Sequence, residues 1–340
     1  MSVPLVSVVL VNWNAACYIV DCLRSVFAST YAALEIILID NHSADGSIAR
    51  LRSELSAKEL ERVRIIENDA NHGAAHALNQ GAALAQGRYI TFLATDTRMD
   101  AGCLAELVDC LERDGRIAAV SAKLLMMHEP QRIDSAGEYL NQFGLLMQRH
   151  AGREYDAGQF EEQVEIFSVK GTALTVRGDV FESVGGYPDD YFMFLEETDL
   201  CWRIWLAGYR IVFVPRAKIY HACGISIAGH ERKNFVVKYY GCRNYIMTLF
   251  KNLGIWQWVG IVPLHTLMWC ALAGYFLVIR RRSEAAYILR AVAWIVLHLP
   301  YLIGKRRAVQ SRRAVTDRAL MPRILRPVPW SYLRDRVNAW

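Results

Sequence analysis

No two of the eight cysteines stand at C-x-x-C spacing, and no Cys/His run has the spacing of a structural zinc site. The thiols are scattered through apolar segments, which predicts buried free cysteines in a reducing compartment rather than a disulfide framework. No G-x-G-x-x-G follows the first apolar run and no Walker sequence occurs, so a dinucleotide dehydrogenase and a P-loop enzyme are disfavoured. Internal repeats and low-complexity segments are absent. No signal peptide opens the chain: the apolar run 6–11 is too brief for a signal core with its flanks. A cytosolic amino-terminal body is therefore expected.

What is present is apolar and unevenly charged. The 340 residues are 53% hydrophobic, high for a soluble enzyme, and suffice for one large domain plus an appendage. Residues 280–340 hold 14 Lys+Arg against 3 Asp+Glu, a net of +11, whereas residues 1–279 carry a net of −6. An acidic body with a basic tail implies an anionic surface as partner for the tail. No nucleic-acid partner is expected.

Short apolar runs alternate with helical spacing over the first 122 residues. Strands are predicted at 7–11, 35–40, 64–67, 89–93 and 117–122, and helices at 18–29, 48–55, 74–85 and 101–113. Ser43 or Asp45 would cap the second helix, and Asp100 the last. Such alternation means a parallel sheet with helices on both faces, whose ligands bind at the carboxyl ends of the strands. Asn12, Trp13, Asn14, Asp40, Asn41, Thr95 and Asp96 all fall there. The helix opening after Asn71-His72-Gly73 offers free N–H groups to a phosphate. Residues 128–165 are polar and weakly periodic, an irregular excursion with one hairpin. Residues 167–177 read as strand–turn–strand around Gly171-Thr172-Ala173. A last strand, 210–214, ends at Pro215, ahead of Ile219-Tyr220-His221.

The densest chemistry is in GGYPDDYFMFLEETDLCWR, residues 185–203. Glu196, Glu197 and Asp199 would occupy the first turn of a helix, where the macrodipole favours negative charge. Asp199 fits an i, i+4 pair with Arg203. Glu196 and Glu197 stand among aromatic and aliphatic residues, a setting that raises a carboxyl pKa toward that of a general base. Other candidates carry two readings each. Asp40 is a loop-capping acid or an acceptor for the imide N–H of uracil or thymine. Asp96 is the cap of the helix at 101, a role that the closer Asp100 fits better, or, in the reading that leads, a ligand to Mg²⁺ or Mn²⁺ bridging a diphosphate, since hard cations take few carboxylates and substrate phosphate oxygens. His221 is a structural histidine or a metal or phosphate contact, and Trp13 is core or a stacking partner for a base. Lys170 and Arg243 are surface charges or phosphate contacts.

Residues 256–279 contain no charge and would span about 36 Å as a helix. A second apolar stretch, 285–303, carries Arg290 and His298. Arg280-Arg281-Arg282 lies between the two, and Lys305-Arg306-Arg307 and Arg312-Arg313 follow. A single crossing would place the Arg triplet on the far side, against the positive-inside tendency. A re-entrant pair or helices lying in the interface, with a break expected at Pro263, is the preferred arrangement because it keeps every basic cluster beside anionic lipid.

The ordered motifs VSVVLVNWN, LIDNHSADGS, NDANHGAAHALNQG, YITFLATD and VKGTALTVRGDVFESVGGYPDDYFMFLEETDLCWRIWLAGYRIVFVPRAKIYH resemble the family-2 inverting glycosyltransferases, nearest their rhamnosyltransferase-like branch. The resemblance covers residues 4–226, and the tail LIGKRRAVQSRRAVTD is similar to the basic segment of membrane-associated members. It implies a GT-A fold: α/β, with a Rossmann-like, mostly parallel, nucleotide-sugar-binding sheet, followed by a membrane-associated helical segment. The implied division is a catalytic domain over 1–250, apolar membrane-associated helices over 251–310 and a basic tail over 311–340. The donor site would comprise Asn12, Trp13, Asn14, Asp40, Asn41, Asn71, Gly73 and Thr95. Asp96 matches the family's metal-binding Asp, with Ala94-Thr95 in place of the usual Asn-Pro and Arg98 where a second acid would stand. His221 matches a position that completes the metal site for Mg²⁺ or Mn²⁺. The Glu-Asp base motif falls on Glu196-Glu197, leaving open which of the two takes the proton. Gly171, Thr172 and Trp202 are the acceptor-side candidates. The implied reaction transfers a sugar, rhamnose from dTDP-rhamnose first, to a lipid-linked or growing polysaccharide at the cytoplasmic face of the cell membrane. A UDP-hexose or UDP-N-acetylhexosamine transferase of the same fold and a non-catalytic membrane assembly partner are the alternatives.

Overall fold

The computed structural model describes residues 3–149, 154–223 and 233–327. Gly224 and residues 328–340 of the basic tail lie outside that set. The first strand, β1 (Val6–Asn12), is a run of buried β-branched residues. It sits between β2 (Leu34–Asp40) and β4 (Tyr89–Ala94), parallel to both, with β3 (Val63–Glu67) at the edge beyond β2. Helices α1 (Ile19–Phe27), α2 (Ser47–Glu54), the short α3 (Ala57–Leu60), α4 (Ala74–Leu84) and α5 (Cys103–Arg113) connect them. Gly81 lets α4 close onto the sheet, since a Cβ there would stand 2.3 Å from Val9 Cγ1. The N-caps of α2 and α5 are Gly46 and Gly102, so neither Ser43, Asp45 nor Asp100 is the cap expected; Asp45 Oδ1 instead accepts from Ser47 N and Asp100 Oδ1 from Gly102 N in the turns that lead into the helices. Five of the eight thiols are buried and none is bridged.

Beyond the parallel half the sheet turns mixed. Its path is β10-β12-β6-β11-β4-β1-β2-β3, with the short β5 (Thr97–Met99) on β12 and β7 (Ile133–Ser135) on β6. β11 (Ala173–Arg177) runs antiparallel to both β4 and β6 (Ile117–Met126). Residues 167–172 form no strand of the sheet, so the expected strand–turn–strand reduces to β11 alone. β12 (Arg210–His221) runs on through Pro215. A register shift against β6 between Val214 and Lys218 accommodates the residue that cannot donate to a ladder. The excursion holds the expected hairpin, β8 (Glu138–Leu140) with β9 (Leu146–Gln148), and the two-residue β10 (Val164–Glu165). The fully buried Lys123 pins it to β6 through Asp156 (2.9 Å) and Glu161 (2.5 Å).

One apolar core lies under α1, α2 and α5. The other lies under α4, α6 (Gly178–Ser183) and α7 (Glu196–Leu206) and continues into the carboxyl-terminal helices. A π-helical turn, Val236–Tyr240, leads into α8 (Gly241–Asn252), which runs through the boundary expected at residue 250. Then come α9 (Ile255–Val278), α10 (Arg282–Leu297), α11 (Leu299–Ser311) and α12 (Asp317–Ile324). Pro263 sits inside α9 without breaking it. α9 is the one helix among the described residues long and apolar enough to cross a membrane by itself. α10 and α11 meet at a 71° bend.

Candidate active site

The floor of the site is built where β1, β2 and β4 end. Asn12 and Asp40 are partners in register. Asn12 Nδ2 donates to Asp40 Oδ1 (2.7 Å), Ser43 Oγ (2.9 Å) and Ser47 Oγ (2.7 Å), while Asp40 Oδ2 accepts from Ser43 N (3.0 Å). Asn14, with φ at 53°, accepts from Ala44 N through its side-chain oxygen. These three donor candidates staple the loop after β2, and Asp40 sits there as a loop-capping acid. Trp13, Asn41, Asn71, Gly73 and Thr95 instead line a cavity of about 500 Å³.

Gly73 is required by geometry. Its φ is +89°, and a Cβ would stand 2.5 Å from Phe192 O. That carbonyl accepts from Ala74 N (2.7 Å), while Gly73 N donates to Asn71 Oδ1 and His72 N to Asn41 Oδ1. Of the N–H groups at the start of α4, that of Ala74 is thus engaged within the protein, as are those of His72 and Gly73 just before it. Gly73→Ala combines a left-handed backbone with a steric clash, and is expected to cost about 1–3 kcal/mol. A thermal melt checks this; an unchanged Tm would remove the argument from close approach.

On one wall, Asp96 follows β4 and His221 ends β12. Ala222 N donates to Asp96 O (3.0 Å), which holds the two together. His221 Nε2 is 3.4 Å from Asp96 Oδ2, and His221 Nδ1 is 2.9 Å from Asp134 Oδ2. Burial alone would lower the imidazole pKa, but the hydrogen bonds to Asp134 and Asp96 outweigh it and push it up to about 11. Burial likewise opposes ionisation of Asp134, yet His221 and Lys170 hold its carboxyl well below the usual range. A carboxylate oxygen beside an imidazole nitrogen is a donor pair that a divalent cation takes. The residues therefore fit a divalent cation. Arg98 points away, its guanidinium lying over the Tyr220 ring (4.9 Å).

The opposite wall is the start of α7. Phe194 and Leu195 both have left-handed backbones, at φ 72° and 65°, a costly conformation for bulky residues. Asn244 of α8 secures them by donating to Met193 O (2.8 Å) and Phe194 O (3.0 Å). Helix α7 then opens directly with Glu196 and Glu197, both on the cavity wall. Burial raises both carboxyl pKa values well above the glutamate range; the charge of Glu197 pushes Glu196 further, while backbone N–H groups and Lys170 partly offset the rise at Glu197. Gly171 lies against Glu197, where a Cβ would be 3.2 Å from its Cδ; Thr172 and Lys170 also line the cavity. Trp202 does not: it is buried in the core, edge-on to Phe167 at 5.1 Å, two turns along α7 on the packed face. The acceptor-side expectation for Trp202 is corrected accordingly. Asp199 pairs with Arg203 (2.9 Å) as expected, and also with Lys251 (3.0 Å) and Asn252 (2.8 Å).

Two acids escaped sequence reading. Glu138 is buried on β8 with one oxygen unpartnered; burial first, and then the nearby Glu197, push its carboxyl up to about 8. Asp134 stands on β7. Both lie in the aperiodic excursion, where no spacing marks them.

The model of the family described as glycosyl transferase family 2 matches residues 7–183. The chain belongs to that family. Glu196, Glu197 and His221 lie outside the matched stretch. The putative teichuronic acid biosynthesis glycosyltransferase TuaG of Bacillus subtilis is 38% identical over 95 residues, 28% of this chain and 37% of its own length. The poly-beta-1,6-N-acetyl-D-glucosamine synthase of Staphylococcus aureus (strain COL) is 25% identical over 216 residues, 61% of this chain and 48% of its own. The chain thus spans less than half the length of these curated relatives. Among solved structures, the mannosyltransferase PcManGT from Pyrobaculum calidifontis, in complex with GDP-Man and Mn²⁺, aligns with a TM-score of 0.55 at 17% identity. The alignment covers 92% of this chain and 86% of that one. The sheet described above has the GT-A fold, and in this chain apolar helices follow it.

Proposed function

We propose that the protein is an inverting glycosyltransferase that moves a sugar from a nucleoside-diphosphate donor to a saccharide acceptor at a membrane surface. The observation that carries this reading is one cavity with Asp96 and His221 on one wall and Glu196 and Glu197 on the other. A divalent cation held by Asp96 and His221 would neutralise charge building on the departing nucleoside diphosphate. Trp13 and the Asn41/Asn71 pair face the nucleoside end of the donor. Glu197, beside Gly171, takes the proton of the acceptor hydroxyl as it attacks the anomeric carbon from the opposite face. One displacement inverts configuration, so one base suffices. Between the two buried glutamates, Glu197 is the base because it faces Gly171 and Lys170, whereas Glu196 has an oxygen buried without a partner.

The donor is assigned as dTDP-rhamnose on the rhamnosyltransferase-like motifs. The S. aureus relative's name makes a UDP-N-acetylhexosamine the second reading. The test is nucleoside-diphosphate release by detergent-solubilised protein from dTDP- and UDP-sugars with Mg²⁺, Mn²⁺ or EDTA. Release from dTDP-rhamnose that EDTA abolishes is expected. Release from a UDP-sugar alone discards rhamnose and keeps the mechanism, and release from no donor by folded protein discards the enzyme.

The acceptor is assigned as a lipid-linked saccharide at the cytoplasmic face. α9 leaves Trp256 85% and Leu267 66% exposed, an apolar surface in want of a cover. The bend between α10 and α11 suits a re-entrant or interfacial pair, and the Arg and Lys clusters flank it. Such clusters add about 1 kcal/mol per basic residue at an anionic surface. The protein is expected to float with phosphatidylglycerol-containing vesicles, and Arg280, Arg281 and Arg282 changed to Gln should weaken that flotation about tenfold or more at low salt. Equal flotation on neutral vesicles would dismiss the charge contribution.

A further inference from the structure

Asp134 takes no part in the chemistry above, yet it touches both sides of it. Its carboxylate is 7% exposed. Oδ2 accepts from His221 Nδ1 at 2.9 Å; Oδ1 accepts from Lys170 Nζ at 2.5 Å and from Cys223 Sγ at 3.2 Å. His221 and Lys170 come from distant parts of the chain, the end of β12 and the loop before β11, and both face the cavity. β7, which carries Asp134, lies across them as the outermost strand on β6.

We propose that Asp134 is a positioning residue that fixes the His221 ring with Nε2 turned toward Asp96 and holds Lys170 on the same wall. This rests on the reading of Asp96 and His221 as a divalent-cation site. A neutral imidazole has one N–H and one lone pair. A cation binding here displaces the Nε2 proton held between His221 and Asp96; the hydrogen bond to Asp134 keeps the other N–H on Nδ1, so the lone pair is freed on Nε2, 3.4 Å from Asp96 Oδ2. The opposite tautomer would aim a proton at the cation, and a ring free to turn would lose the alignment. Carboxylates behind a ligating histidine act in this way, and losing one typically weakens metal binding about 10–100-fold. Asp134 also offers Lys170 its shortest polar contact, so one carboxylate sets a ligand and a cavity cation at once.

The test is Mn²⁺ binding to the full chain in detergent, followed by loss of the free-ion electron paramagnetic resonance signal with no donor present. D134N is expected to bind Mn²⁺ about 10–100-fold more weakly than the unaltered protein. Where D134N fails to fold because Lys170 is stranded, the double variant K170M/D134N removes the stranded charge and should show the same weakening. Binding by D134N or the double variant within about twofold of the unaltered protein overturns the proposal. D96N separates the two levels of the argument. If D96N loses Mn²⁺ while D134N keeps it, the positioning role falls and the cation site stands. If the unaltered protein and D96N behave alike, the cation site itself is wrong, and the positioning role goes with it.

Discussion

Glu197→Gln is expected to lower turnover by about 10²–10⁴-fold, the usual contribution of a general base, with nucleotide-sugar binding kept within about threefold. The amide has the shape of the carboxyl but cannot take a proton. Glu196→Gln should leave more activity, because Glu196 acts on the reaction only through its neighbour. The same assignment fixes the sign of the pH dependence. The base works as a carboxylate, and burial beside a second glutamate raises its pKa. The acid limb of kcat/KM should therefore lie well above the ordinary glutamate value of 4.5, and should vanish in the residual activity of Glu197→Gln. The two acids titrate as a pair, so the limb reports the pair rather than either residue. Loss of donor binding together with turnover would identify Glu197 as a structural acid instead.

Asp199→Ala is expected to be the most damaging single change to stability. Asp199 is fully buried and is the shared partner of Arg203, Lys251 and Asn252. Removing it strands two buried cations, a cost of about 3–5 kcal/mol. A drop in Tm of roughly 6 °C or more, from about 2–4 °C per kcal/mol, should follow. Burial opposes ionisation of this acid, but Lys251 and Arg203 hold its folded pKa below the ordinary aspartate value of 3.8. Its contribution is therefore fully present above pH 3.8 and is lost as pH falls through the lower folded value. The unaltered protein should lose stability in that acid window, and Asp199→Ala should lack that component of the loss. An Asp199→Ala protein as stable as its parent would mean that Lys251 sheds its proton at little cost.

The parallel half of the sheet was legible because its strands are continuous apolar runs and because Asn12, Asp40 and Asp96 end them. The same reading failed where the physics is not local. Pro215 looked like a stop, but a register shift absorbs it in β12. Pro263 looked like a break, and α9 passes through it. Trp202 was expected on the acceptor side, whereas its helix is packed on nearly every side. The pairing of Asp199 with Arg203 could be read from spacing, but Lys251 and Asn252 are reached only through the fold. Asp134 and Glu138 gave no signal because each is defined by what a distant strand brings to it. The engagement of Phe192 O by Ala74 N could not be foreseen either, because it joins two loops 118 residues apart in sequence.

The carboxyl-terminal helices are more than an attachment. Asn244 and Arg243 of α8 grip the loop before α7, Arg243 Nη2 donating to Asp190 O at 2.6 Å, and Tyr301 Oη of α11 donates to Asp190 Oδ2 at 2.9 Å. They splint the backbone that aims Glu197. Deleting the carboxyl-terminal helices to remove the proposed membrane surface would therefore leave the sheet but release the backbone that holds Glu197 in place. The workable route is to repaint the outer face of α9, at Trp256, Val259, Leu267 and Val278, with polar side chains and leave every helix in place.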